Sequence, residues 1–228
     1  MLNHDGWLDP ADCTHADGSE LEERVYLLEY TADELQSAYL CGGIANPDHP
    51  DAEIVAEPIL SLPEFIDIVS ICEDTTIHLD IKYLGGASHH PDVVAAEVLE
   101  RWWAAGLPNP TYYSSAEIEI IQAIETRGQD EHTVLTWPEV HPDANRTLAG
   151  IGHELAQTLG IEDLFADVRR AGADGIQLPW ELADRSTVNA LHRADIDVRI
   201  YTVNESPLKQ HLSRWPISAI ITDRPEFP

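Results

Sequence analysis

Alternation of apolar and polar residues is sharpest between Thr76 and Tyr83, T-I-H-L-D-I-K-Y. Ile77, Leu79 and Ile81 fall on one face there, and His78, Asp80 and Lys82 on the other. A period of two predicts a half-buried strand. Upstream, S-L-P-E puts Ser61 and an early Pro63 at the start of a helix whose apolar residues are Phe65, Ile66, Ile68, Val69 and Cys72. Downstream, Pro91 and Asp92 open a helix with an apolar stripe through Val94, Val98, Leu99, Trp102 and Trp103. The pattern then predicts strands over 110–114, 132–137, 175–178, 197–203 and 219–222. Helices over 116–126, 148–159 with an extension toward Arg170, 186–194 and 207–214 separate them. Strand and helix in alternation predict a parallel sheet with crossover helices. Periodicity alone leaves both an open doubly wound sheet and a closed barrel in play.

Residues 1–60 are less regular. A short strand over 25–29 and a brief helix over 31–39, capped by Thr31, are expected there, with little core of their own. The whole chain of 228 residues suits a single α/β barrel domain, with 1–60 as an irregular insertion and 61–228 as six βα units.

Composition adds a strong charge. Forty-one acidic residues against 13 basic ones give a formal charge of −28, and only two lysines, Lys82 and Lys209, are present. Such a field repels nucleic acid and anionic lipid, so a phosphate-bearing ligand needs positive charge concentrated locally. An acidic, lysine-poor surface is also what solubility in high salt requires. Cys13, Cys41 and Cys72 match no zinc or redox spacing and are expected to stay reduced in a cytoplasmic protein. No stretch approaches the roughly 18 consecutive apolar residues that cross a membrane.

In parallel barrels, chemistry sits at the carboxyl ends of the strands. The polar residues at those ends are Asp80 and Lys82, Ser114 and Ser115, Trp137 with Glu139, Gln177, Tyr201, Thr202 and Asn204, and Thr222, Asp223 and Arg224. Ser114, Ser115, His132 and Asp223 hold the residue types of a nucleophilic triad but lack a G-x-S-x-G elbow. His89 and His90 are expected to cap a helix.

The segments D-V-R-I-Y-T-V-N and S-A-I-I-T-D-R-P resemble the closing strands of the glycerophosphodiester phosphodiesterase family, with Tyr201 where that family usually has tryptophan. L-S-L-P-E-F at 60–65 resembles its P-T-L-E-E segment. Asp80 and Lys82 resemble its E-x-K motif, with aspartate for glutamate, and His4 and Asp5 resemble its H-D pair. The resemblance implies an eight-stranded βα barrel with an insertion after the H-D pair. It also implies divalent-metal-assisted hydrolysis of a glycerophosphodiester to an alcohol and glycerol 3-phosphate. His4 is then an acid/base histidine, Asp80 a ligand of calcium or magnesium, and Lys82 a phosphate contact, with Tyr201 and Asn204 beside the substrate. The family's opening H-R-G and E-x-D segments have no counterpart here, so the expected barrel lacks its first two strands, with either a start at an internal methionine or a degenerate, shortened relative as the expected reason. Two functions stay open on that basis: a shortened hydrolase, or a non-catalytic barrel relative that binds a phosphorylated ligand or a protein partner.

Overall fold

The computed structural model describes residues 1–45, 53–72, 74–83, 88–128, 131–137 and 161–225. Contacts divide the chain into two units, Met1–Thr75 with Lys82–Asn109, and Thr76–Ile81 with Pro110–Pro228. The predicted helix over 148–159 and the position of Glu139 lie outside the described residues.

The first unit opens with short antiparallel pairs. Strand β1 (Trp7–Leu8) pairs with β3 (Val25–Tyr26), and β2 (Cys13–His15) with β4 (Tyr39–Cys41). The strand expected over 25–29 stops at Tyr26 and turns into a 3-10 helix, Leu27–Glu29. Helix α1 (Ala32–Ala38) starts where Thr31 accepts from the Glu34 amide and Glu34 reaches back, a capping box. Helix α2 (Leu62–Val69) repeats the device with Ser61 and Glu64. Its apolar side is only partly covered, because Val69 is buried while Ile68 faces solvent. Helix α3 (Pro91–Ala105) is capped by His90, whose ring accepts from the Asp92 amide, and ends at Gly106 with φ 59°. Phe65 stacks on Trp102 at 6.3 Å, whereas Trp103 sits at the rim.

Two expectations are corrected in this unit. Residues 1–60 do own a core, formed by Leu8, Cys13, Leu21, Leu35, Tyr39 and Ile59. These apolar residues are scattered in sequence and meet only through long-range strand pairing. Nor do all three cysteines stay reduced: Cys13 and Cys41 are register partners on β2 and β4 and form a disulfide, leaving Cys72 as the free thiol among the described residues.

The second unit is a parallel sheet of β5 (Ile77–Asp80), β6 (Thr111–Ser115), β7 (His132–Thr136), β8 (Gly175–Pro179), β9 (Asp197–Tyr201) and β10 (Ala219–Ile220). Its strands lie in consecutive order from β5 to β10. That order decides between the two architectures, since a doubly wound sheet reverses direction at a switch point and a barrel does not. Helices α4 (Ile118–Arg127), α5 (Ile161–Ala171), α6 (Arg185–Arg193) and α7 (Ser206–Leu212) follow strands of the sheet. Leu135, Ile176, Leu178, Val198 and Ile200 join Ile121, Leu164, Val168, Val188, Leu191 and Leu212 in one apolar core. Burial of such side chains stabilises by roughly 1.5–3 kcal/mol each.

The alternate residues of the same strands carry polar groups. Thr136 pairs with Gln177, and Gln177 with Arg199, and all three are buried. Arg199 donates to Asp197 Oδ2 at 3.0–3.1 Å and lies 4.0 Å from the Tyr112 ring centre, so its charge is paired and stacked.

Candidate active site

Asp80 ends β5 in an exposed position and accepts a 2.7 Å hydrogen bond from Ser114 Oγ on the neighbouring strand. Ser114 is fully buried, and its oxygen also lies 2.8 Å from His78 Nε2. A hydroxyl has one proton, and here it goes to the carboxylate. His78 therefore carries its proton on Nε2 and donates to Ser114, which makes a relay His78 to Ser114 to Asp80 along the polar side of β5 and β6.

Tyr201 closes β9. Its phenol donates to the Trp137 carbonyl at 3.4 Å. Burial pushes its pKa up, and the charges of Asp80 and Glu181 push it further in the same direction. The phenol is thus a neutral hydrogen-bond donor held near two carboxylates.

Beyond β9, Asn204 ties the last loop down. Its Oδ1 accepts from the Asp223 amide at 3.0 Å and from Thr222 Oγ1 at 3.1 Å, while its Nδ2 donates to Asp223 Oδ2 at 3.0 Å. Lys209, 1% exposed, donates from below to the Arg224 carbonyl. The T-V-N and T-D-R-P segments are therefore one hydrogen-bonded unit, which their separation of some twenty positions in sequence does not reveal.

Between these two groups lie β7 and β8. Gln177 Nε2 donates to Thr136 Oγ1 at the polar face of the sheet.

The predicted site residues do not all share one unit. Asp80, Tyr201 and Asn204 belong to the second; His4 and Lys82 belong to the first. The strand predicted to run through Lys82 ends two residues earlier, at Asp80, and Lys82 is half-buried in the segment that follows. His4 is exposed, with Nδ1 3.0 Å from Asp5 Oδ1. The residue types of the triad are dispersed: Ser114 bonds His78 and Asp80, whereas His132 contacts Asp197 at 3.2 Å and Asp174 at 3.7 Å at the opening ends of their strands. The serine relay and Gln177 were visible in sequence only as polar members of an alternating pattern, without a partner assigned.

Among the described residues no donor set matches the calcium or magnesium that the resemblance implies. Among the described residues no three His, Cys, Asp or Glu side chains come together to hold a metal ion. Asp80 is a single carboxylate with one oxygen engaged by Ser114, short of the six or more oxygen donors of calcium or the octahedron of magnesium. Among the described residues no helix is long and apolar enough to cross a membrane.

The consecutive parallel sheet, apolar toward its helices and polar on its other face, with an acid, a phenol and an amide at its carboxyl ends, has the form of part of a βα barrel. The chain belongs to the glycerophosphoryl diester phosphodiesterase family, whose model matches residues 1–227. Members of that family are phosphoric diester hydrolases. No curated protein sequence matches significantly. Among solved structures, the chain is similar to a protein assigned as a glycerophosphoryl diester phosphodiesterase from Silicibacter pomeroyi, at 21% identity and TM-score 0.78, covering 98% of this chain and 75% of that one. It is similar as well to an Oleispira antarctica phosphodiesterase in complex with the product sn-glycerol-3-phosphate, at 16% identity and TM-score 0.65, with the same coverage. A glycerophosphodiester phosphodiesterase from Parabacteroides distasonis matches at 12% identity and TM-score 0.62, over 89% of this chain and 70% of that one. At these identities the likeness is one of fold, and the fold is the TIM barrel, of which the described sheet supplies six consecutive strands.

Proposed function

We propose that this chain binds a glycerophosphodiester at the carboxyl ends of its strands and hydrolyses it to an alcohol and glycerol 3-phosphate. The observation that supports this function is that Asp80 at the end of β5, Tyr201 at the end of β9 and the Asn204–Asp223 pair beyond it belong to one parallel sheet, although the segments that resemble the family's motifs are far apart in sequence. The product bound in the Oleispira antarctica relative supports the choice of substrate.

Water attacks phosphorus, the P–O bond to the alcohol breaks, and the departing oxygen takes up a proton. His4 is the candidate acid/base, because imidazole exchanges protons near neutral pH. Lys82 is the candidate phosphate contact. The other lysine, Lys209, is buried and holds the Arg224 carbonyl, so among the lysines this role falls to Lys82. Tyr201, whose phenol proton goes to the Trp137 carbonyl, lines the glycerol side, and Asn204 fixes the loop beside it. Asp80 is the candidate metal ligand, and the described donors alone do not complete a metal site around it.

That same shortfall of donors favours a second function, a barrel relative that binds a phosphorylated ligand without turnover. Phosphorus NMR of purified protein with glycerophosphocholine, with calcium, magnesium or EDTA, separates the two. Appearance of glycerol 3-phosphate that Lys82→Ala abolishes supports hydrolysis. No product under any condition, with glycerol 3-phosphate still bound, supports the binding protein. For location, the Cys13–Cys41 disulfide favours an oxidising compartment over the cytoplasm expected from the thiol count.

A further inference from the structure

Gln177 lies in the middle of β8 and is 4% exposed. Its register partners are Thr136 on β7 and Arg199 on β9, and it faces away from the helix-packed core that takes its neighbours Ile176 and Leu178. The amide is half satisfied. Its Nε2 donates to Thr136 Oγ1, while its Oε1 is buried with no partner. Turning the amide over does not solve this: Thr136 would then donate to the oxygen and the amino group would be stranded instead. A polar end that folding leaves unpaired in a buried place is explained when a bound molecule supplies the missing partner.

The place of Gln177 says what that molecule is. Strands β7 and β8 lie between β6, whose Ser114 holds Asp80, and β9, which ends in Tyr201. Asp80 at the end of β5 and Tyr201 at the end of β9 therefore flank the strands that carry Thr136 and Gln177. An ionised phosphate oxygen has no proton to give to Oε1. A hydroxyl donates and accepts, and so satisfies the amide in either orientation.

We propose that Gln177 is a specificity residue whose Oε1 accepts a hydrogen bond from a hydroxyl of the substrate's glycerol moiety. The proposal rests on the glycerophosphodiester function above and deepens it: the polyol half of the substrate is read from the floor of the sheet. Sites built to bond a hydroxyl reject the analogue that lacks it, because the site's own polar group is then left bare.

The test is calorimetric binding of glycerol 3-phosphate and of n-propyl phosphate, which keeps the phosphate and the three-carbon chain but has no hydroxyl. The full chain is compared with Gln177→Met and with Gln177→Glu, which keeps an oxygen acceptor. Wild type should prefer glycerol 3-phosphate by about tenfold or more. Gln177→Met should bring the ratio close to one by weakening glycerol 3-phosphate alone, and Gln177→Glu should retain a preference. Gln177→Met removes the orphan carbonyl but also the hydrogen bond to Thr136, so the melting temperature of each variant is measured alongside to show that it is folded. A wild-type ratio near one, a ratio unchanged in Gln177→Met, or no binding of either phosphate overturns the proposal. Hydrolysis is scored separately by phosphorus NMR. Hydroxyl discrimination without turnover removes the hydrolase and leaves Gln177 in place, while turnover with an unaltered ratio removes Gln177 alone.

Discussion

Asn204 and Asp223 hold each other by two hydrogen bonds of 3.0 Å, one to the backbone amide and one to the carboxylate. With Thr222 as a third partner, one half-buried side chain organises the loop after the last strand. Asn204→Ala should cost about 1–3 kcal/mol of stability by denaturant titration, because the partners are left to compete with water. It should also weaken glycerol 3-phosphate binding in calorimetry. Stability and affinity both equal to wild type would mean that the loop is fixed by other contacts.

Asp184 caps α6 through hydrogen bonds from the Ser186 and Thr187 amides at 2.8 and 3.0 Å, together with both hydroxyls. Partial burial acts to raise its pKa, and these hydrogen bonds outweigh it, so the carboxyl is held below its ordinary value. A depressed folded pKa gives stability that is complete above the unfolded value, about 3.9, and is lost as pH falls through the folded value. Asp184→Ala should therefore be about 1 kcal/mol less stable at pH 7, with the gap closing in acid. Asp184→Asn should keep most of the cap and flatten the pH dependence. Thermal melts from pH 7 to pH 3 check both variants.

The disulfide joins positions 28 residues apart. Chain entropy assigns a loop of this length roughly 3–4 kcal/mol of stabilisation, felt in the first unit. Thiol titration in denaturant should find one thiol, Cys72, without reductant and three with it. Reduction should lower the melting temperature. Three thiols in unreduced protein would contradict the pairing.

The parallel sheet was legible in sequence because its strands advertise themselves locally. Ile77 and Leu79 alternate with polar residues along β5, as Ile176 and Leu178 do along β8, where they join the core that the helix after that strand helps to build. The helix starts at Thr31 and S-L-P-E are likewise local and legible, whereas the return contacts of Glu34 and Glu64 that complete the capping boxes come from the structure. The small β pairs of the first unit were not legible, since Cys13 means little until Cys41 is laid beside it. The site divides along the same line. Tyr201 and Asn204 stood out by their motif, but the partner of each polar group is set by register between strands. That Ser114 bonds Asp80, and that Gln177 has its carbonyl unmet, follows only from the register of β5 with β6 and of β7 with β8.

Because Lys209 is enclosed beneath the Arg224 carbonyl while Lys82 is half-buried, the two lysine amines of this acidic chain differ in accessibility. Brief acylation of native protein should modify Lys82 well ahead of Lys209, and a phosphorylated ligand should slow that modification. Acylation at Lys209 should begin only when the tail of the chain lets go. Peptide mass spectrometry then follows occupancy at one lysine and integrity at the other in a single sample.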